Sequence, residues 1–186
     1  MDFPTLHTER LDLIEIEDKH MNDLYKLFSD QDVTRFYNLL PFKEPKEGKV
    51  FIDWYRTRSK NRQAIRWGIV IKGTANLIGT IGFNNYTTLH RANIGYDLQS
   101  EYWNNGYTTE ALATVVKFGF VQLGINRIEA EVMPGNDASG RVLEKIQFQK
   151  EGILRQWMFW NDKYYDMIMY SLLKSDYKMD EALLSI

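Results

Sequence analysis

The chain has 186 residues, of which 44% are hydrophobic and 26% charged, a balance that fits one globular domain over residues 1–186. Its net charge of −2 does not favour nucleic-acid binding, and its lack of cysteine excludes disulfides and cysteine metal sites. Its apolar runs are too short for a membrane helix and its first residues lack a signal-peptide pattern, so we expect a cytoplasmic protein without membrane contact.

Hydrophobic periodicity predicts the elements of the first half of the chain. In order, they are a strand over 11–16, a helix over 18–28, a helix over 46–58, and strands over 67–71, 77–83 and 91–98. Asp18 is placed to cap the first helix, and the turn at residues 72–74 predicts a hairpin between the strands on either side of it.

The second half continues the alternation of helices and strands. It contains a helix after Thr109, a strand over 127–133, a helix capped by Asn136 or Asp137, and strands over 152–160 and 164–173. The order is therefore β-α-α-β-β-β-α-β-α-β-β. This mixed order predicts a layered α/β fold, in which about seven strands form one sheet with helices on both faces.

One group of basic side chains is close together in the sequence, near the end of the second predicted helix. This basic cluster comprises Arg56, Arg58, Lys60, Arg62 and Arg66. A solvated helix end is favoured over an acidic docking patch, because cations are stable at helix C-termini. No metal is expected, since the i, i+4 pairing of a helical zinc site is missing from the three histidines, His7, His20 and His90.

The most informative local motif is the segment Tyr102–Ala111, which reads YWNNGYTTEA. A strand pattern precedes it, and apolar residues recur at offsets of three and four after it, as in a helix. The amides at the start of a helix lack internal partners and carry partial positive charge, so this turn predicts a phosphate site. The alternative is a hairpin with a type I′ turn at Asn105–Gly106, which the helical spacing after Thr109 disfavours.

Together with the element order, short segments along nearly the whole chain resemble the GNAT superfamily of N-acetyltransferases. The similarity is greatest to the branch named for N-terminal acetylation of ribosomal proteins. Besides the turn, the segments are Thr8–Leu11, Leu77–Gly82, Ile94–Tyr96, Asn126–Ala130, Val142–Lys145 and Tyr164–Asp166. The resemblance implies that the central sheet is mostly antiparallel.

The resemblance also implies acetyl-CoA as cosubstrate, with its pyrophosphate on the backbone of the turn. The superfamily turn has Gln or Arg, two residues, Gly, one residue, then Gly or Ala; here these places hold Trp103, Gly106 and Thr108. The residues implied in cofactor binding are Leu98, Trp103, Asn104, Asn105, Gly106, Tyr107, Thr108, Thr109, Asn136 and Ser139.

The same resemblance assigns catalytic roles. It implies that the strands near 93–98 and 127–133 splay apart around the pantetheine arm, and that the Leu98 N–H polarises the thioester carbonyl. Oriented N–H donors in a dry cleft stabilise charge that develops on such an oxygen. Ser139 matches a serine that this branch places near the departing sulfur. Many relatives use a tyrosine as the acid for the thiolate at the place held here by Leu143, which leaves Ser139 or a water molecule as the candidate acid. Asn136 and Ser139 also fit simple capping of a helix.

The general base is the least determined role in the sequence. The two positions at which relatives carry a glutamate base hold Asn93 and Met158, neither of which accepts a proton. The remaining candidates are Asp97 and Glu131 on neighbouring strands, and both also fit ordinary structural carboxylates. Proximity alone, with solvent taking the proton, is a third alternative.

The predicted function is acetyl-CoA-dependent transfer of an acetyl group to a primary amine, on a protein N-terminus or a small molecule. One alternative is a non-catalytic acyl-CoA-binding regulator, suggested by the missing base; another is a hairpin-rich domain that does not bind CoA. Aromatic residues of the last hairpin and first helices are candidates for core, acceptor pocket or a homodimer contact. They are Phe36, Tyr37, Trp157, Phe159, Trp160 and Tyr164.

Overall fold

The computed structural model describes residues 3–177, and its strands form a single eight-stranded sheet with the order β1-β2-β3-β4-β5-β6-β8-β7. The strands are β1 (Leu6–His7), β2 (Leu11–Glu15), β3 (Ile65–Ile71), β4 (Leu77–Thr87), β5 (Arg91–Leu98), β6 (Arg127–Val132), β7 (Gln149–Trp160) and β8 (Lys163–Leu173). Residues 1–2 and 178–186 of the predicted domain lie outside the described part of the chain.

Five α-helices accompany the sheet in the described residues. They are α1 (Met21–Ser29), α2 (Gln31–Thr34), α3 (Lys46–Lys60), α4 (Tyr107–Val121) and α5 (Asp137–Lys145). Two short 3₁₀ turns, Asp18–His20 and Ser100–Tyr102, lead into α1 and toward α4. None of these described helices has the length and apolar character required to cross a membrane.

The predicted mixed, mostly antiparallel sheet is confirmed, with three local corrections. The sheet has eight strands because β1, only two residues long, pairs with β2 and is too short to show alternation. The four-residue helix α2 is likewise too short for a periodic signal. Asp18 is not the cap of α1, since Glu17 precedes a 3₁₀ turn and α1 begins at Met21.

The sheet lies between two hydrophobic clusters, which confirms helices on both faces. One cluster joins the sheet to α4 and α5, and the other joins it to α1 and α3. Neighbouring residues of β4 serve opposite clusters, because side chains alternate across a strand: Leu77 packs with α1 and α3, and Ile78 with α4. Gly119 allows α4 to approach closely, since a Cβ there would lie 2.7 Å from the Phe83 ring.

One strand junction opens the sheet. Strands β5 and β6 are its only parallel pair in the described residues, and their register runs from Arg91↔Arg127 to Asn93↔Glu129. Beyond Asn93, β5 continues for five residues without pairing to β6. The predicted splaying of these two strands is therefore observed, and the gap between them lies in the middle of the sheet.

Candidate active site

The turn before α4 presents a row of free backbone donors. Gly106 has φ of +80° and Asn104 has φ of +62°, a left-handed conformation that glycine adopts without strain. The first helical bond is from Glu110 N–H to Gly106 O, at 3.1 Å. The amides of residues 104–109 donate to no acceptor within residues 3–177. The predicted strand–turn–helix order is confirmed, and the hairpin alternative is wrong.

The N-terminal segment holds this turn in place. Glu110 accepts hydrogen bonds from the Thr8 hydroxyl at 2.5 Å, Arg10 N–H at 2.8 Å and Arg10 Nε at 2.7 Å. The Arg10 guanidinium also donates to Asn105 O at 3.0 Å and lies 4.7 Å from the centre of the Tyr107 ring. Partial burial opposes ionisation, yet the bonds from Thr8 and Arg10 keep the pKa of Glu110 below its ordinary value.

The turn, the end of β5 and α5 enclose a cavity of about 380 Å³. Of the predicted cofactor residues, nine line it: Leu98, Trp103, Asn104, Gly106, Tyr107, Thr108, Thr109, Asn136 and Ser139. Asn105 does not, because its amide side chain turns back to Tyr102 O and Trp103 O, at 3.2 and 3.0 Å.

Two cations that sequence reasoning missed also line this cavity. Arg141 and Lys145 lie one turn apart on α5, both with exposed side chains. The i, i+4 spacing places them on the same helical face. That spacing was visible in the sequence, but only the packing of α5 shows that the face borders the cavity. The cavity therefore offers amide donors on one wall and positive charge on another, and the exposed Asp32 carboxylate is also in its lining.

The backbone of Leu98 faces the gap. Gln99 N–H donates to Ile78 O at 2.9 Å, across the antiparallel pair in which Leu98 lies opposite Gly79. Since residues in such a pair alternate in bonding direction, the Leu98 N–H points away from β4, toward the side that β6 has vacated. Trp103 Nε1 donates to Leu98 O at 2.8 Å and fixes the end of the strand.

Ser139 has a partner that the sequence did not reveal. The Tyr96 hydroxyl lies 2.8 Å from Ser139 Oγ and donates to Ser139 O at 3.1 Å. Burial raises the pKa of Tyr96, so this hydroxyl keeps its proton at neutral pH. Asn136 caps α5, with its side-chain oxygen accepting from Ser139 N–H at 3.3 Å. Two protonated hydroxyls thus lie together beside the gap.

Asp97 occupies a different environment from the one expected of a free base. Its carboxylate is buried, pairs with the Arg66 guanidinium and accepts a bond from the Thr80 hydroxyl at 3.1 Å. Burial raises the pKa of Asp97, and the adjoining guanidinium opposes that rise. Arg66 therefore does not belong to a solvated helix end, because it lies in β3 and its side chain is only 4% exposed.

A second cavity, of about 360 Å³, lies on the other side of the same hydroxyl pair. It shares Tyr96, Asn136 and Ser139 with the first cavity. It is lined by Glu131, one of the two candidate bases, and by Asn93 and Met158, which stand where relatives carry a glutamate base. Asp97, the other candidate, lines the first cavity. The two cavities therefore meet where the two hydroxyls lie.

The aromatic candidates separate into two groups. Phe36 and Tyr37 line both cavities. In contrast, Trp157, Phe159 and Tyr164 are exposed on the β7–β8 hairpin, by 56%, 58% and 64%, so they are not core. None of these three lines either cavity. The core alternative is therefore wrong for these three, since their side chains project into solvent from the hairpin that ends the sheet.

Comparison with known proteins identifies the family. Residues 10–149 match the family described as acetyltransferase (GNAT) domain. The chain belongs to the GNAT acetyltransferases. It is 42% identical to the uncharacterized N-acetyltransferase YoaA of Bacillus subtilis (strain 168), over 92% of this chain and 98% of that protein.

The predicted ribosomal branch also has relatives among the matches. The acetyltransferase is 26% identical to the ribosomal protein uS5 alanine N-acetyltransferase of Escherichia coli (strain K12), over 63% of this chain and 62% of that protein. Its fold matches that of RimL, the ribosomal L7/L12 α-N-protein acetyltransferase, in a structure with coenzyme A. That match has a TM-score of 0.80 at 19% identity and covers 93% of this chain and 99% of that one.

The anchoring of the turn by Arg10 makes a first prediction. Arg10→Ala removes the guanidinium bonds to Asn105 O and Glu110 Oε2 but keeps the backbone bond to Glu110. The amide donors then lose part of their preorganisation, and the Kd for CoA should rise about tenfold, or ~1.4 kcal/mol. Isothermal titration calorimetry with CoA measures this change. Arg56→Ala, which removes a remote ion pair to Asp18, is the control and should leave the Kd unchanged. An unchanged Kd in the Arg10 variant contradicts the anchoring role.

The buried ion pair between Arg66 and Asp97 leads to a second prediction. Asp97→Asn leaves the guanidinium without its counter-charge, so the free energy of unfolding should fall by about 3 kcal/mol in urea denaturation. Asp53→Asn, at an exposed pair with Lys49, should change it little. Unchanged stability with abolished turnover in the Asp97 variant would instead assign Asp97 the role of base.

Proposed function

We propose that this acetyltransferase, acting as one domain over residues 1–186, moves the acetyl group of acetyl-CoA to a primary amine of a protein N-terminus or a small molecule. One observation carries the proposal: two cavities meet at the hydroxyls of Tyr96 and Ser139, beside a gap in the sheet. Donor and acceptor can enter from opposite sides and meet there. Cytoplasmic location and a homodimer remain predictions.

The first cavity fits acetyl-CoA. Free amides at the start of α4, with the helix dipole behind them, suit a pyrophosphate, and Arg141 and Lys145 add positive charge for phosphates. The unpaired edge of β5 beyond Asn93 suits an arm that hydrogen-bonds like a strand. The RimL structure, which contains coenzyme A in the same fold, supports this choice of cosubstrate.

Acetyl-CoA, when bound, supplies a thioester, and the reaction joins the amine nitrogen to its carbonyl carbon while the carbon–sulfur bond breaks. The Leu98 N–H is placed to donate to the oxygen on which negative charge develops. The bonding pair leaves with sulfur, and the hydroxyls of Ser139 and Tyr96, which lie beside the gap, would supply its proton. The amine must be neutral to attack, which costs about 0.5 kcal/mol for an α-amine and about 4 for a lysine at pH 7.4.

Thiol release from acetyl-CoA across a panel of peptides and small amines tests the function. We expect turnover on at least one acceptor. Ser139→Ala and Tyr96→Phe should each lower kcat about 10²-fold, while the Kd for CoA changes by a much smaller factor. The two hydroxyls act as a pair, so the double variant should lose much less than the product of the single effects.

Two outcomes oppose this proposal in different ways. Tight CoA binding with no thiol release on any acceptor favours the non-catalytic regulator. Undiminished kcat in both single variants removes the hydroxyl pair from the mechanism but leaves acetyl transfer intact. Val121→Ala, at an exposed position on α4 away from both cavities, serves as the matched control and should retain full activity.

A further inference from the structure

The second cavity has a distinct chemical character. Glu131 is the one charged side chain in its lining, as far as residues 3–177 are concerned. The remaining lining is uncharged: it is aromatic, aliphatic, thioether, amide or hydroxyl, and includes Phe36, Tyr37 and Trp54. Such a site offers one negative charge within otherwise neutral walls.

A chain of hydrogen bonds orients the Glu131 carboxylate. Arg66 donates to Asn84 Oδ1 at 3.1 Å, which turns the Asn84 amide nitrogen toward Asn93 Oδ1, at 2.9 Å. The Asn93 amide nitrogen in turn faces Glu131 Oε1, at 3.3 Å. Because Arg66 can only donate, each amide in the chain has one allowed orientation. Glu131 Oε1 is thereby held, and the Trp157 indole is a further hydrogen-bond donor to this carboxylate. A carboxylate accepts about four hydrogen bonds, so Glu131 retains acceptor capacity toward the cavity.

The electrostatic setting of Glu131 suits an exchangeable proton. The side chain reaches solvent at the cavity mouth, but the surrounding protein raises its pKa, and the charge of Glu129 adds to this rise. An interaction with the Trp157 indole acts in the opposite direction. A carboxylate with a raised pKa is a stronger proton acceptor than an ordinary one.

A bulge in β7 forms another part of the cavity wall. Between the register pairs Leu154↔Met167 and Met158↔Tyr165, β7 has four residue steps and β8 has two, so β7 contains two extra residues. Gln156, inside the bulge, has φ of +51°, and its N–H donates to Asp166 Oδ1 at 2.8 Å. Bulges bend a strand and redirect its side chains. Met158, at the end of this bulge, lines the cavity.

We infer that the Glu131 carboxylate binds the ammonium of the acceptor and takes its proton, and that the acceptor is a primary amine with one positive charge and an apolar body. This inference rests on the proposed acetyl transfer. One proton passes from the ammonium to Glu131, and the freed lone pair forms the new nitrogen–carbon bond. As the carbon–sulfur bond breaks, the second N–H proton leaves the nitrogen and the departing sulfur gains one through the hydroxyl pair of Ser139 and Tyr96, so the products are the amide, the thiol and protonated Glu131.

The same chemistry disfavours two kinds of amine. A second cation of a polyamine would face apolar and amide walls, where its desolvation is not repaid. The carboxylate of a free amino acid would face Glu131 without a cation to pair it. The aromatic walls instead favour an apolar body.

The acceptor classes are separated by kcat/KM for four compounds. These are 2-phenylethylamine, a tetrapeptide with an N-terminal alanine, spermidine and free phenylalanine. We expect kcat/KM for one of the first two compounds to exceed kcat/KM for both of the others by at least about tenfold. Spermidine and free phenylalanine each bring a second charge that has no partner in the cavity. Which of the two is preferred distinguishes a small-molecule from a peptide source. Equal or higher kcat/KM for spermidine or free phenylalanine overturns the inference.

Glu131→Gln keeps the shape and the bond from Asn93 but removes the charge and the proton acceptor. We expect kcat/KM for the preferred amine to fall about 10²-fold, the KM for acetyl-CoA to stay constant, and the loss to shrink as pH rises and the free amine becomes neutral. Asp53→Asn is the matched control, because Asp53 is also a carboxylate but lies in an exposed ion pair with Lys49 and lines neither cavity. An unchanged pH profile in Glu131→Gln contradicts the role of proton acceptor.

Asp166 is a positioning residue, because it holds the β7 bulge beside Met158. Its variants test whether that bulge shapes the wall of the second cavity. Asp166→Ala removes the acceptor for Gln156 N–H and should raise the acceptor KM several-fold with kcat and CoA affinity retained. Asp166→Asn keeps an oxygen at that place and should restore the KM. A purely structural role would lower CoA affinity and thermal stability together and would leave the acceptor KM unchanged in the folded protein.

Calorimetry separates this inference from the proposed function. On CoA-loaded protein, 2-phenylethylamine and the tetrapeptide are titrated into the unmodified chain and Glu131→Gln. Binding that weakens at least tenfold in the variant supports the ammonium site even where no thiol is released, in which case only acetyl transfer fails. The other outcome is an amine that is acetylated with the same Kd and the same kcat/KM in the unmodified chain and in Glu131→Gln. That result leaves acetyl transfer intact and overturns the ammonium site.

Discussion

The site depends on one constraint: the pairing between β5 and β6 stops before either strand ends. The two strands share a register only up to Asn93 and Glu129, and each continues past that point. A strand edge inside a sheet exposes backbone groups that need partners, and an edge left unpaired costs free energy. The gap is therefore both a weak point of the sheet and a site where a strand-like ligand gains hydrogen bonds. Leu98, Tyr96 and the turn before α4 all border it.

A polar chain crosses the sheet beside this gap. It runs from Asp97 through Arg66, Asn84 and Asn93 to Glu131, and so connects β3, β4, β5 and β6. Buried charges are costly, and a pair that fills its hydrogen bonds serves orientation more than stability. In this molecule the charge pair at one end gives each amide a single orientation. The two carboxylates that the sequence left as alternatives thus stand at opposite ends of one network, one enclosed and one open.

Much of the fold was predictable because its signals are local. Seven of the eight strands, the longer helices and the turn before α4 follow from periodicity and from glycine over short windows. The errors have local causes too. Strand β1 and helix α2 are too short to repeat a pattern, and Asp18 lies in a 3₁₀ turn whose sequence resembles a helix start. The basic cluster was misassigned at Arg66, since charge alone does not show whether a partner is buried nearby.

The sequence by itself determined the elements, the phosphate-type turn and the family, because each depends on residues close together along the chain. Tertiary structure decided which side chains meet. Arg10 and Glu110 are 100 residues apart, and Tyr96 and Ser139 are 43 apart. Their contact follows from sheet order and from how α4 and α5 pack, and a helix or strand pattern carries no information on either. The same sheet order buried Asp97 against Arg66 and left Glu131 exposed at the second cavity, a distinction between two carboxylates that local sequence does not contain.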